Sequence, residues 1–300
     1  MSDLYLVITC DVEPDNFDVS IFGKRKEFSW EGMKQLEKLI DMSSPLKDSF
    51  SKKPTYTWFL RADEMIKKAY GTYTYVYEKF KSRWERARFR GDEIGWHPHT
   101  KEVDRLRESY EEVSLKYDPP RSVRVGEAFH SNRFMLELAS LGLSVDSTAL
   151  PGRVRDDEIR KLNWEGTPEL PYYPSKLDYR VPSENRLDIL EVPFSMVKTQ
   201  ATYDRVPIKR YLNLSFRHEI IKKALENLIK EKDLIVSVLH PSELLKHEKE
   251  HPLLSFDLDT VIGNLEFILK TAAEENKKIK YITLAEVKDL VERGEIRHEE

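Results

Sequence analysis

Cysteine is almost missing from this chain of 300 residues, in which Cys10 is the only one. An internal disulfide is therefore excluded, and the disulfide-rich secreted folds are excluded with it. A single thiol is typical of proteins in a reducing compartment, so we expect a cytoplasmic location. Cys10 lies within an apolar run, which favours a buried packing role for its side chain.

Other absences narrow the function classes further. The chain has no basic excess, since 49 Lys and Arg stand against 53 Asp and Glu, and nucleic-acid binding is therefore not expected. No apolar run approaches the ~20 residues of a membrane span. The first residues show neither the basic nor the apolar segment of a signal peptide. A glycine-rich phosphate loop after the first predicted strand is also missing, which argues against a dinucleotide-binding fold.

Apolar runs of strand length alternate with amphipathic stretches of helix length along the whole chain. This order is typical of β/α units that form a parallel sheet. The predicted strands are residues 4–10, 55–60, 93–96, 122–125, 143–146, 187–194, 234–239 and 279–282. The predicted helices are residues 30–42, 73–89, 101–117, 132–141, 214–231, 258–273 and 284–292.

We interpret residues 1–300 as a single α/β domain. Seven or eight strands fit a closed or nearly closed barrel better than two small sheets, and an open doubly wound sheet is the alternative. Residues 150–186 interrupt the pattern with Pro151, Pro168, Pro171 and Pro174. We expect a long irregular excursion there, and the aromatic residues within it favour an ordered structure.

Polar side chains follow the predicted strands at the point where each strand ends. They are Asp11, Glu13, Arg61, Asp63, His97, His99, Arg124, Asp146 and His240. Because the carboxyl ends of the strands in a parallel barrel form the face where active sites are built, this distribution predicts an enzyme.

Two pairs within this set have the spacing of metal ligands. Residues two apart on an extended chain point to the same side, so His97 and His99 can converge on one ion. Asp11 and Glu13 share a side in the same way and can supply a carboxylate. Two imidazoles and a carboxylate are typical of hydrolytic zinc or iron sites.

The same side chains also have structural interpretations. Asp11 and Asp63 each suit a helix N-cap, and Arg124 suits an ion pair inside a barrel. His240 precedes Pro241 and suits the start of a helix that Ser242 caps. The candidates for substrate binding suit internal packing as well; they are Arg61, Asp63, Asp146, Trp96, Trp164 and Tyr172.

Five segments together resemble the polysaccharide deacetylase family, which is like carbohydrate esterase family 4 and belongs to the glycoside hydrolase/deacetylase superfamily. They span most of the chain in the family's order and spacing. These segments are residues 9–13 (TCDVE), 93–97 (EIGWH), 123–126 (VRVG), 141–148 (LGLSVDST) followed by 151–152 (PG), and 236–241 (VSVLHP).

The resemblance implies a distorted (β/α)7 barrel and metal-dependent removal of N- or O-acetyl groups from a carbohydrate, with zinc as the expected metal. By position in the family's segments, Asp11 is the general base and His240 the general acid. Glu13 and His97 are metal ligands, and Arg124 orients the base.

The chain departs from the family at one ligand. The second metal histidine of the family falls at Lys101, which cannot bind a metal as an ammonium ion. We expect His99 to replace it. If the metal is lost instead, two alternatives follow: a metal-free amidohydrolase acting on a small amide or ureide, or a catalytically inactive barrel that binds glycans.

Overall fold

The computed structural model describes residues 2–15, 28–156, 161–247 and 250–300. The strands in these ranges are β1 (Ser2–Val12), β2 (Tyr56–Arg61), β3 (Glu93–His97), β4 (Ser122–Val123), β5 (Val145–Asp146), β6 (Val154–Asp156), β7 (Lys161–Asn163), β8 (Leu190–Glu191), β9 (Met196–Thr199), β10 (Ile208–Tyr211), β11 (Leu234–Leu239) and β12 (Lys277–Tyr281).

The helices in the same ranges are α1 (Gln35–Ser43), α2 (Glu64–Tyr70), α3 (Tyr75–Lys79), α4 (Lys81–Phe89), α5 (Val103–Lys116), α6 (Asn132–Ser140), α7 (His218–Glu231), α8 (Leu258–Glu274) and α9 (Leu284–Glu292). Short 3-10 turns occupy Glu31–Lys34, Gly126–Ala128 and Pro241–Leu244. The predicted fold class, an α/β chain of the distorted (β/α)7 barrel type, is confirmed.

The chain forms two compact units. The first contains residues 1–56 and 195–282. Its central strand β1 pairs in parallel with β11 and with β12. The apolar residues of β1 are buried from Leu4 onward, which is typical of a parallel strand covered on both sides. The register places Cys10 beside Leu239, the last residue of β11, so Asp11 is level with His240.

The second unit contains residues 57–194 and 283–300. Here β2, β3, β4, β5 and β8 pair in parallel, in that order. The register places Arg61 beside His97, and Asp146 beside both Val123 and Glu191. The predicted clustering of polar residues at strand ends is therefore seen within this unit.

Several element predictions differ from the structure. The predicted helix over residues 73–89 is two helices, α3 and α4, which meet at Phe80 in a non-helical conformation. The predicted strand 187–194 shortens to β8. The antiparallel hairpin of β9 and β10 was not predicted.

The segment from residue 150 to residue 186 is mostly irregular in its described part. It contains one short antiparallel hairpin, formed by β6 and β7, while residues 157–160 lie outside the described residues. Isolated bridges join Pro174 to Pro182 and Ser175 to Arg186. Backbone hydrogen bonds thus order this segment without extended strands.

Candidate active site

His97 is the last residue of β3 and is buried. Its Nδ1 atom lies 2.6 Å from the carbonyl oxygen of Arg124. Because a carbonyl oxygen only accepts hydrogen bonds, Nδ1 carries the proton and donates it. Nε2 of His97 is then the basic nitrogen of the ring. A metal-binding histidine is usually oriented by a donor bond of this kind.

His99 follows on the same side of the chain, as the spacing predicts. Its Nε2 lies 2.9 Å from Nε2 of His97. Two imidazole nitrogens this close together would both be available to one metal ion, which would supply Lewis acidity there. The family's ligand position, Lys101, carries an exposed side chain. The structure therefore brings together the two histidines of the unusual His-Pro-His segment.

Gly126 allows the ring of His99 to lie where it does. A Cβ atom at residue 126 would lie 2.2 Å from two ring carbons of His99. The amide of Gly126 also donates a 2.8 Å hydrogen bond to the carbonyl of Pro98. A glycine is therefore required at residue 126, because the side chain of His99 approaches the backbone closely there.

Arg124 is buried and held from several sides. Its Nε donates to the carbonyl of Ser147 at 2.8 Å, and one terminal nitrogen donates to the hydroxyl of Ser147 at 3.0 Å. The guanidinium carbon lies 4.5 Å from the ring centre of Phe59 and 4.1 Å from that of Phe194. Cation–π contacts of this kind stabilise the guanidinium group in this orientation.

Asp146 belongs to a fully buried polar cluster in the second unit. Its Oδ2 lies 2.7 Å from Nε2 of His130, and its Oδ1 accepts from the hydroxyl of Thr148 at 2.5 Å. Glu191 accepts from the amides of Thr148 and Ala149. Burial raises the pKa of Glu191 well above its ordinary value, and the charge of Asp146 raises it further.

The sequence analysis gave a candidate role to Asp146 alone, and neither His130 nor Glu191 was assigned one. A ligand atom from each of His130, Asp146 and Glu191 lies within 4.8 Å of those from the other two. The 2.7 Å separation of His130 and Asp146 fits a hydrogen bond. Since His130 sits in an irregular stretch before α6, neither strand ends nor periodicity could have pointed to it.

Three aromatic side chains that were candidates for substrate binding are fully buried. Trp96 donates to the hydroxyl of Ser109 at 3.2 Å. The indole of Trp164 donates to a backbone carbonyl at 3.0 Å, and so does the phenol of Tyr172 at 2.9 Å. Their exposed fractions are 0%. Burial with satisfied polar atoms supports the packing role that the sequence left open.

Arg61 and Asp63 form a buried ion pair within the second unit, with 2.7 Å between Nε and Oδ2. The other carboxylate oxygen of Asp63 accepts from the amides of Met65 and Ile66. Asp63 is therefore the N-cap of α2, the alternative that its position before a helix suggested.

Asp11 and His240 come together in the first unit because each follows one residue of the paired Cys10 and Leu239. Oδ2 of Asp11 lies 3.9 Å from Nε2 of His240. Asp11 is buried, whereas the His240 side chain is 22% exposed. Glu13, two residues after Asp11, is half-buried. A carboxylate and an imidazole thus face each other at this strand end.

The helix start predicted after His240 is present as a 3-10 turn. The predicted cap, Ser242, is wrong, because His240 is the N-cap and Ser242 lies within the turn. The carboxylate of Glu243 lies 3.0 Å from Nδ1 of His240 and accepts from the His240 amide at 2.9 Å. Burial alone lowers the pKa of His240. The charges of Glu243, Asp11 and Glu13 outweigh that effect and raise the pKa to about 10.

Comparison with solved structures shows a polysaccharide deacetylase-like fold. A protein from Parabacteroides distasonis, assigned as a glycoside hydrolase/deacetylase, is 14% identical with a TM-score of 0.64, covering 97% of this chain and 72% of its own. One from Mycobacterium smegmatis, assigned as a polysaccharide deacetylase, is 14% identical with a TM-score of 0.57, covering 100% and 93%.

The fold is also similar to that of a glucanotransferase. The 4-alpha-glucanotransferase from Thermococcus litoralis is 13% identical with a TM-score of 0.50, covering 95% of this chain and 40% of its own. No protein-family model and no curated protein matches the sequence. No helix in the described ranges combines the length and apolar character that crossing a membrane requires.

Proposed function

We propose that this protein is a metal-dependent hydrolase that removes acetyl groups from a carbohydrate. The observation that carries the proposal is the His97–His99 pair, with its Nε2 atoms 2.9 Å apart and the proton of His97 held on Nδ1. The shared fold with proteins assigned as deacetylases supports the choice of reaction. At 14% identity that likeness concerns the fold alone.

We infer that His97, His99 and Glu13 hold the metal. Both imidazoles present Nε2, and the carboxylate comes from the residue that the sequence selects. Two nitrogens and one oxygen suit zinc, and they also suit iron. When bound, such a cation supplies Lewis acidity toward a water molecule and an acetyl carbonyl.

Asp11 acts as the general base in this proposal and takes a proton from the attacking water. The fixed guanidinium of Arg124 is proposed to orient that carboxylate. His240 acts as the general acid and gives a proton to the leaving nitrogen or oxygen as its bond to the acetyl carbon breaks. Its raised pKa supports this role, because the imidazolium form persists at neutral pH.

The substrate is proposed from the same chemistry. An amine leaves poorly without a proton, so a histidine held in its charged form favours cleavage of the carbon–nitrogen bond of an N-acetyl sugar.

The six candidates for substrate binding all have side chains with small exposed fractions. They are Trp96, Trp164, Tyr172, Arg61, Asp63 and Asp146. In the proposed mechanism they support the site by packing and hydrogen bonding.

The single buried cysteine is the reason to propose a cytoplasmic compartment.

The test is release of acetate from acetylated chito-oligosaccharides and from acetylated xylan, with and without prior chelation. Parent protein is expected to release acetate, to lose this activity on chelation and to recover it with zinc or cobalt. Activity that survives exhaustive chelation would favour the metal-free amidohydrolase. Saturable binding of the sugar with no release of acetate would favour the inactive barrel.

One variant distinguishes the proposed role of Asp11 as general base from a role in metal binding. Asp11→Asn removes the proton acceptor and keeps the size of the side chain, so turnover should fall by at least about 100-fold, a typical contribution of general base catalysis. The metal content should be unchanged in this variant. Substantial residual turnover would remove Asp11 from the role of base.

A further inference from the structure

Glu243 contacts His240 at two points, although no feature of the sequence predicted a role for it. Its Oε1 lies 3.0 Å from the ring nitrogen Nδ1, and its Oε2 accepts from the backbone amide of His240 at 2.9 Å. A carboxylate only accepts hydrogen bonds, so Nδ1 of His240 is the donor. The two contacts fix both the proton and the orientation of the ring.

Asn213 in turn fixes Glu243. Its side-chain amide donates to Oε1 of Glu243 at 2.7 Å, and its carbonyl oxygen accepts from the amide of Ser215 at 2.7 Å. Asn213 and Glu243 are 1% and 7% exposed. Backbone hydrogen bonds between Leu212, Leu214 and Val238 hold this segment against β11. The carboxylate is therefore held by residues outside its own turn.

The other ring nitrogen points away from Glu243. Nε2 of His240 lies 3.9 Å from Oδ2 of Asp11, which is beyond hydrogen-bonding distance. Three carboxylates act on the ring through charge, namely those of Glu243, Asp11 and Glu13. Glu243 acts in a second way as well, because it accepts the Nδ1 proton in a hydrogen bond. Nε2 is the nitrogen from which a proton can leave.

We propose that Glu243, fixed by Asn213, is the positioning residue for His240, holding Nδ1 as a donor so that Nε2–H faces the leaving group. This inference rests on the proposed hydrolase function. In the step concerned, the bond between the acetyl carbon and the leaving nitrogen breaks and its electron pair stays on nitrogen. The Nε2 proton passes to that nitrogen, which leaves His240 neutral.

The chain offers a matched control for the loss of a helix cap. Glu286 occupies the same position in the capping box at the start of α9, where it accepts from the amide of Thr283 at 2.6 Å. Glu243→Gln removes the charge beside His240 and weakens the cap. Glu286→Gln weakens an equivalent cap in the other unit and leaves His240 untouched.

The kinetic readout compares an N-acetyl amide with an O-acetyl ester. Glu243→Gln should lower kcat on the amide by about 100-fold, the usual contribution of a general acid, and KM should change little. The decrease in kcat on the ester should be much smaller, because an alcohol leaves more easily than an amine. The basic limb of the amide pH profile should move to lower pH. Glu243→Asp, which keeps the charge, should restore part of the rate.

A second readout needs no turnover. In metal-free protein with labelled histidine, the NMR titration of His240 should have its midpoint near pH 10. In Glu243→Gln it should fall toward the ordinary value of about 6.5. Glu286→Gln should retain the parent value. If no acetylated sugar is hydrolysed but the midpoint falls as stated, the hydrolase proposal fails while the positioning contact stands.

Two results would overturn the inference. One is an equal loss of amide and ester turnover in Glu243→Gln, matched by Glu286→Gln. The other is an unchanged His240 midpoint. If Glu243→Gln does not fold, Glu243→Asp and Asn213→Ala still decide the question, since both retain the charge and should shift the amide rate more than the ester rate.

Discussion

At the scale of single residues, the polar side chains at strand ends divide into two groups. Asp63 and Asp146 use their oxygens in buried hydrogen bonds within their own unit. His97 and His99 instead present ring nitrogens to each other, and His240 turns Nε2 toward Asp11. Residue type and position after a strand singled out all of these residues in the sequence. The contacts show which of their side chains are held in buried hydrogen bonds.

Gly126→Ala tests whether the His99 ring must lie against the backbone. The added methyl would lie 2.2 Å from that ring, so His99 should shift and the affinity for zinc should fall by about 10-fold or more, as for lost support of a metal ligand. Competition with a chelating indicator measures the affinity.

Gly263→Ala is the control, because a Cβ there meets no atom within 4 Å. Its zinc affinity should equal that of the parent. A Gly126→Ala variant with unchanged affinity would show that His99 is not held as described or does not bind the metal.

The pH dependence of stability follows from His240. Its folded pKa of about 10 lies above the ordinary value of 6.5, so the stabilisation is fully present below pH 6.5 and is lost as pH rises through about 10. Urea unfolding of chelated parent and His240→Gln at about pH 6 and about pH 10.5 measures this effect. The free energy of unfolding of the parent should exceed that of the variant by more at about pH 6 than at about pH 10.5. An equal difference at the two pH values would contradict this prediction.

At the scale of elements, the sequence predicts best where burial and periodicity agree. The buried runs of β1 and β11 and the amphipathic α7 and α8 appear close to their predicted places. The hairpin of β9 and β10 was missed because β10 is half-buried along its whole length and shows no alternation. The break at Phe80 has no proline or glycine to signal it.

Glycine substitutions test the helices directly. Gly263 lies inside α8, and a methyl group there would have open space around it, so Gly263→Ala should raise the free energy of unfolding by about 0.5–1 kcal/mol. Gly142 follows α6 with a φ of 80°, the left-handed conformation in which a glycine commonly ends a helix. Gly142→Ala should lower the free energy of unfolding, and urea titration measures both. Stabilisation by Gly142→Ala would contradict this assignment.

At the scale of the whole molecule, the alternation of strands and helices predicted an α/β parallel sheet and left an open sheet as the alternative to a barrel. The family resemblance implied the (β/α)7 barrel, and solved structures at 14% identity share the fold. The two compact units, each built from separated stretches of chain, could not be predicted, because long-range contacts define them. That residues 1–300 act as one domain stays a prediction. So does the common site of Glu13, His97 and His99.

The buried cluster of His130, Asp146 and Glu191 shows a further limit of sequence reasoning. Two of its members end β5 and β8, but His130 reaches Asp146 from an irregular segment. Its ring stacks on Tyr179, 5.1 Å away, within the excursion that the sequence left without regular structure. Contacts of this type depend on the path of the loop, and that path leaves no periodic signal.

The most direct test of the central claim is the metal content of protein purified without chelator, measured by elemental analysis for the parent, His97→Ala, His99→Ala and Lys101→Ala. The parent and Lys101→Ala should each contain about one zinc, iron, cobalt or nickel ion per chain, since a hydrolytic site of this kind holds one ion. Both histidine variants should lose it. A parent protein with no stoichiometric metal, or histidine variants that keep it, would contradict the metal-dependent hydrolase.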